Sequence, residues 1–155
     1  KILRPRQNPR LQNYDYRREN YYFVTVCAHH KQCVFGAAGK PNVVGQMAAQ
    51  GIKDISRHFP GVGVDEYVVM PNHVHLLLLI QREQGGRTLC APTPVGAVPR
   101  IIKAMKETVT KCARSPVWQK GYHDHIVRGE ADYLRIWQYI DQNPAHWAED
   151  EYYHE

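Results

Sequence analysis

The stretch Val64-Asp65-Glu66-Tyr67-Val68-Val69-Met70-Pro71-Asn72-His73-Val74-His75-Leu76-Leu77-Leu78-Leu79-Ile80-Gln81 decides how this chain folds. Two apolar runs, 64–70 and 73–81, flank Pro71-Asn72, a pair that breaks a strand and favours a turn. They predict a tight hairpin. Upstream, Tyr21-Tyr22-Phe23-Val24-Thr25-Val26-Cys27 is aromatic and β-branched and predicts a strand. Between these strands, Asn42 to His58 carries Val44, Met47, Ala48, Ile52 and Ile55 at three- and four-residue steps, which predicts an amphipathic helix despite Gly45 and Gly51. Pro60-Gly61 ends it.

Downstream, residues 82–99 are rich in Pro and Gly and predict a loop excursion. A second helix is expected to start between Pro94 and Arg100, with Ile101, Met105, Val109 and Cys112 on one face and Arg100, Lys103, Lys106, Lys111 and Arg114 outside it. Tyr122 to Arg128 predicts a fourth strand. Gly129-Glu130-Ala131-Asp132 opens a third helix with carboxylates in its first turn, and Asn143-Pro144 closes it. The order strand, helix, strand, strand, helix, strand, helix is the split βαβ, ferredoxin-like α+β pattern with one extra carboxyl-terminal helix: an antiparallel sheet with helices on one face.

The 155 residues, 43% hydrophobic and 23% charged, suffice for one domain over residues 19–155 behind a basic arm, residues 1–18. This composition excludes a disordered, collagenous or coiled-coil chain. The longest apolar run, Leu76 to Ile80, is far too short to span a bilayer, and the basic start Lys1-Ile2-Leu3-Arg4-Pro5-Arg6 has no apolar stretch behind it, so a cytoplasmic protein without a membrane partner is expected. Cys27, Cys33, Cys90 and Cys112 form no paired motif and are expected as reduced thiols.

The net charge of +5 is unevenly spread. Residues 1–18 carry a surplus of five positive charges, residues 19–128 a surplus of six, and residues 129–155 a deficit of six. Such a distribution suits either a polyanion held on one side or an ordinary solvated surface. On the first reading Arg4, Arg6, Arg10, Arg17 and Arg18 of the arm, with Lys103 and Lys106 of the basic helix, hold phosphates. Tyr14 and Tyr16, interleaved with those arginines, either stack on single-stranded bases or pin the arm to the domain.

The chemistry concentrates in two places. On a strand His73 and His75 share a face while Val74 takes the other, so two imidazoles about 7 Å apart at the backbone either converge on one ion or sit on a solvated face. In the third helix Tyr133, Trp137 and Ile140 form the apolar stripe, and Tyr139 lies about 200° from Trp137. Tyr139 instead shares a face with Arg135 and Asn143, four residues before and after it. It is a candidate nucleophile beside a candidate ligand, or a surface tyrosine over a capping Asn. His123 and His125 share a face of the fourth strand, and His125 reads as a DNA contact or ligand support, or as a packed histidine.

Four segments in this order, Tyr14-Asp15-Tyr16, Val69-Met70-Pro71-Asn72-His73-Val74-His75, Trp118-Gln119-Lys120-Gly121-Tyr122-His123-Asp124-His125 and Tyr139-Ile140-Asp141-Gln142-Asn143-Pro144, resemble the HUH endonucleases. Within that family the chain resembles the single-tyrosine transposases of insertion sequences and their REP-associated relatives. The Tyr-Ile-x-x-Asn-Pro ending is most similar to the REP-associated group. The resemblance implies that His73, His75 and Asn143 hold a divalent ion, Mg2+ or Mn2+, and that Tyr139 is the nucleophile of a single-stranded DNA strand transferase. It implies a 5′-phosphotyrosine, a free 3′-hydroxyl, a hairpin-forming palindrome as substrate, and either a monomer or a helix-exchanging homodimer. The competing expectations are an inactive ferredoxin-like module that binds hairpin nucleic acid, and a structural zinc protein.

Overall fold

The computed structural model describes residues 19–81 and 94–153. Four strands form one antiparallel sheet: β1 (Glu19–Cys27), β4 (Val62–Val69), β5 (His73–Gln81) and β6 (His123–Ile126), in the order β4-β5-β1-β6. The first and third long strands therefore lie side by side at its centre, and the helical connections cross over them. That is the ferredoxin-like arrangement expected from the sequence. A two-stranded ribbon, β2 (Gly36–Ala37) with β3 (Lys40–Pro41), is an addition that the sequence pattern did not announce.

The predicted helix over 42–58 is two helices, α1 (Val43–Lys53) and α2 (Ile55–His58), broken at Asp54. Asn42 caps α1, its side chain accepting the Gly45 N–H at 2.9 Å. The two glycines that weaken the helical pattern are packing requirements. A Cβ on Gly51 would lie 3.0 Å from Val109 Cγ2, and one on Gly45 would lie 2.3 Å from the Phe35 carbonyl oxygen. The third helix, α3 (Pro94–Ala113), buries Ile101, Met105 and Val109 as expected, but also Val98 and Ile102, while Cys112 is exposed. Its apolar stripe is thus shifted toward Ile102.

Alternation along β1 and β5 divides the sheet into two faces. Tyr22, Val24 and Val26 pair with Leu78, Leu76 and Val74, and this face is covered by α1 and α3 through Ile52, Ile101, Met105 and Val109. Tyr21, Phe23, Thr25 and Cys27 pair with Leu79, Leu77, His75 and His73 on the other face. The helix α4 (Glu130–Gln142) covers that second face with Tyr133, Ile136 and Ile140. The carboxyl-terminal helix, expected as an addition to the ferredoxin-like pattern, packs on the face opposite α1 and α3. Ile136 joins Tyr133 and Ile140 in the buried stripe, while Trp137 packs against it only partly buried.

A bulge in β4 helps to hold α4 in place. The register shifts between Val64 and Glu66, and the extra residue, Asp65, accepts the Tyr133 hydroxyl at 2.6 Å. After Gln142 the chain tightens into a 3-10 segment, Asn143–Glu149, where Pro144 rules out further α-helix, and residues 150–153 return over the sheet. No helix among the described residues is long and apolar enough to cross a membrane.

Candidate active site

The second face of the sheet is apolar at one end and polar at the other, and the polar end is where α4 and the segment after it meet β5. His73 and His75 are 0% and 1% exposed. Their rings are fixed from behind. Asn72 Nδ2 donates to the carbonyls of Lys31 and Tyr152 at 3.2 and 2.6 Å, so its Oδ1 is left to accept from His73 Nδ1 at 2.7 Å. The proton of His73 is therefore on Nδ1, and Nε2 presents a lone pair. Thr25 Oγ1 lies 2.8 Å from His75 Nδ1 and orients that ring.

The two Nε2 atoms are 3.0 Å apart. Either a proton bridges them or both lone pairs face one cation. Two nitrogens each about 2.1 Å from an ion and at right angles to one another stand about 3.0 Å apart, so the spacing suits a shared ion. Asp150 brings a carboxylate to the same place: its Oδ2 lies 3.9 Å from His73 Nε2, and the three ligand atoms lie within 4.8 Å of one another. Asn143 donates its Nδ2 to Asp150 Oδ2 at 3.0 Å, while its Oδ1 is buried with no hydrogen-bond partner among the described residues. A buried carbonyl oxygen without a partner is costly, and a cation is one group that satisfies it. The donor set of two imidazole nitrogens, a carboxylate and an amide oxygen fits a first-row divalent ion or magnesium.

Burial lowers the His73 pKa to about 4, against Asp150 and Asn143, which favour the charged form. Burial and the neighbouring His73 push His75 well below its ordinary value. Both rings are therefore neutral near pH 7, the form that can ligate.

Tyr139 stands over this site from α4. Its ring centroid is 5.3 Å from that of His75 and 6.0 Å from that of Phe23, which it meets edge-on, and it is 40% exposed. Burial, then Asp150 and Glu151, raise its pKa, and the Asn143 amide opposes them. Tyr139 opens into a cleft of about 590 Å³ shared with Phe23, His75, His125, Arg135 and Tyr152. Tyr152 is a second tyrosine in this cleft, 4.6 Å from His73 between ring centroids, and burial first, then nearby anionic groups, push it up to about 12.

His73, His75, Tyr139 and Asn143, picked out from sequence, are thus brought together by three separate elements. Asp150 and Tyr152 were missed. Their only signal in the sequence is an acidic residue and a tyrosine after the helix, with no period to tie them to it. The DNA-contact residues are more dispersed. Arg4, Arg6, Arg10, Arg17 and Arg18 lie outside the described residues. Lys103 is exposed on α3, on the side of the sheet away from Tyr139, 4.0 Å from Glu107. Lys106 differs from the free basic surface expected of it: Nζ donates to the Gln119 and Gly121 carbonyls at 2.9 and 2.6 Å, and burial lowers its pKa. His125 lines the Tyr139 cleft and is bonded to Asp132.

The four-stranded β4-β5-β1-β6 sheet with a helix across its second face is a fold shared with solved structures. The REP-associated tyrosine transposase bound to a REP hairpin superposes with a TM-score of 0.59 at 21% identity, covering 81% of this chain and 67% of that one. A Deinococcus radiodurans R1 protein described as a candidate transposase superposes with a TM-score of 0.53 at 20% identity, covering 87% and 97%. At the level of sequence, an uncharacterized protein of Haemophilus influenzae is 35% identical in an alignment of 167 positions, gaps included, that covers 96% of this chain and 93% of that one. The chain belongs to one family with that protein. No protein-family model matches it.

Proposed function

We propose that the protein is a divalent-cation-dependent DNA strand transferase that cuts single-stranded DNA beside a hairpin through Tyr139. The observation that carries this is the 5.3 Å approach of the Tyr139 ring to His75, whose Nε2 lies 3.0 Å from His73 Nε2. A nucleophile and a pair of ligating lone pairs from different elements share one opening. The hairpin is brought in from the REP-associated transposase, whose structure holds one.

His73, His75, Asn143 and Asp150 would hold the ion, with Mn2+ or Mg2+ as the expected metal and Mn2+ the better match to two nitrogen ligands. When bound, the ion draws charge from a phosphate oxygen and so eases attack at phosphorus. The chain's own residues do the rest. Phe23 and His75 pack against the Tyr139 ring at the wall of the cleft and so hold it in place. Asn143 favours its phenolate, while Asp150 and Glu151 disfavour it until their charge is neutralised. Attack by the tyrosine oxygen exchanges one phosphodiester for another, so the bond energy is retained and a second strand end can reverse the step. The Arg-rich arm, residues 1–18, supplies sequence-independent grip on phosphates.

The test is a denaturing gel of an end-labelled single-stranded hairpin with Mn2+, comparing the wild type with Tyr139→Phe. A protein–DNA band that survives denaturation in the wild type and vanishes in Tyr139→Phe is expected. Binding of the hairpin by both proteins, with cleavage by neither over a broad hairpin pool, would instead make the protein a recognition module.

A further inference from the structure

The cleft holds a second polar cluster that this chemistry leaves unused. Strand pairing sets His75 opposite Thr25 and Thr25 opposite His123; the next row is Leu77, Phe23 and His125. Residues paired directly across strands project to the same face, so His125 shares the face of His73, His75 and Tyr139, on the far side of β1. Two strand spacings, about 9.5 Å, separate the His75 wall of the cleft from the His125 wall.

His125 is held by a carboxylate. Its Nε2 lies 2.7 Å from Asp132 Oδ2, which also accepts the Arg128 N–H at 3.0 Å, and the Arg135 guanidinium bonds Asp132 Oδ1. Burial opposes ionisation of Asp132, but those donors outweigh it and hold the carboxyl at about 2. The carboxylate can only accept, so the proton in its bond with His125 resides on Nε2. Nδ1 has no hydrogen-bond partner among the described residues, and the side chain is 44% exposed in the cleft that Tyr139 lines. One nitrogen is fixed and the other is open to whatever occupies the cleft.

In-line displacement sets the entering and departing oxygens on opposite sides of phosphorus. Tyr139 borders Asn143 and Asp150 on one side and, across the shared cleft, His125 on the other. With the tyrosine attacking from the cation end, an in-line departing oxygen would face the β6 wall. We propose that His125, positioned by Asp132, is the proton carrier for the departing DNA oxygen, an inference that rests on Tyr139 being the nucleophile. In the forward step the tyrosine oxygen bonds to phosphorus and its proton passes to solvent water. The bond from phosphorus to the 3′ oxygen breaks, and that oxygen takes a proton from Nδ1 of doubly protonated His125, which solvent later restores. In the reverse step Nδ1 removes the proton of the attacking 3′-hydroxyl. Asp132 stabilises the doubly protonated ring through a charge-assisted bond.

The experiment replaces the scissile 3′ oxygen of the hairpin DNA by sulfur, which departs as a thiolate and needs no proton. Wild type, His125→Gln, Asp132→Asn and Tyr139→Phe are assayed on both DNAs, with thermal melting as a check on folding and His125→Asn as a second variant at that position. His125→Gln is expected to slow cleavage of the oxygen substrate by about 10²-fold or more and to restore near-wild-type cleavage of the sulfur substrate. Asp132→Asn gives a smaller loss with the same rescue. Equal slowing on both DNAs, or no slowing on either, overturns the role of His125. Tyr139→Phe distinguishes the two readings: if it cleaves either DNA like the wild type, or if the wild type cleaves neither, the nucleophile assignment itself falls.

Discussion

The two faces of the sheet are built from the same strands and do opposite things. On β5, Val74, Leu76 and Leu78 enter a face closed by α1 and α3, and that face is apolar throughout. The residues between them, His73, His75 and Leu77, enter the face closed by α4, where a small apolar patch around Tyr21, Leu79 and Tyr133 gives way to imidazoles, a carboxylate and an open cleft. One strand therefore serves stability with its even positions and chemistry with its odd ones. The division shows how a protein of this size keeps two neutral histidines buried: the opposite face carries enough of the folding free energy to offset them.

Damage confined to one face or the other should separate stability from chemistry. Leu76→Ala, on the fully buried apolar face, should cost about 2 to 5 kcal/mol in urea unfolding. Tyr139→Phe should stay within about 0.5 kcal/mol of the wild type while abolishing the covalent product. A large stability loss in Tyr139→Phe would show that the second face is also a core.

Acid should act through the histidine face. The unfolded chain protonates His73 at its ordinary value of 6.5, whereas the folded chain resists until about 4. Between those values the unfolded state binds more protons, so stability is full above about pH 6.5 and falls as pH drops toward 4. The loss for His73 is on the order of 3 kcal/mol in metal-free protein. His75, shifted the same way, adds to it. Unfolding midpoints unchanged from pH 7 to 4.5 would refute the buried neutral pair.

Divalent metal should push in the other direction. Mn2+ at about a hundred times its dissociation constant should stabilise the fold by about 2.7 kcal/mol. Asp150→Ala and His73→Ala should each remove most of that increment in a thermal-shift titration. Retention of the full shift in Asp150→Ala would leave Asn143 as the third ligand without it. The smallest effect belongs to the anchor of α4: Tyr133→Phe, which loses the 2.6 Å bond to Asp65, should cost about 1 kcal/mol and lower cleavage only modestly.

Periodicity made most of this architecture legible. Alternation separates Val74 from His73 and His75, and helical phase separates Tyr139 from the Tyr133–Ile140 stripe, so both halves of the candidate site carry a period in the sequence. What was not readable had no period. The break at Asp54 falls inside a continuous apolar stripe and depends on how α2 meets β4. The facing of α4 depends on the Asp65 bulge, a single residue of register. Asp150 lies beyond Pro144, in a segment whose path is set by the Asn72 bond to the Tyr152 carbonyl, and Asp132 meets His125 only because α4 begins at the end of β6.

That Asn72 carboxamide joins residues 41 and 80 positions away, Lys31 and Tyr152, to the ring of His73. The order of synthesis then sets the order of assembly. A ribosome that has released β1 through β6 has released the strands of the sheet and the residues of its α1–α3 face, but the last group of the proposed cation site comes only with Asp150 and the latch only with Tyr152. The strands and the apolar face thus precede, in order of synthesis, the groups that complete the proposed cation site, and the chemistry proposed for Tyr139 waits on a segment made after the sheet.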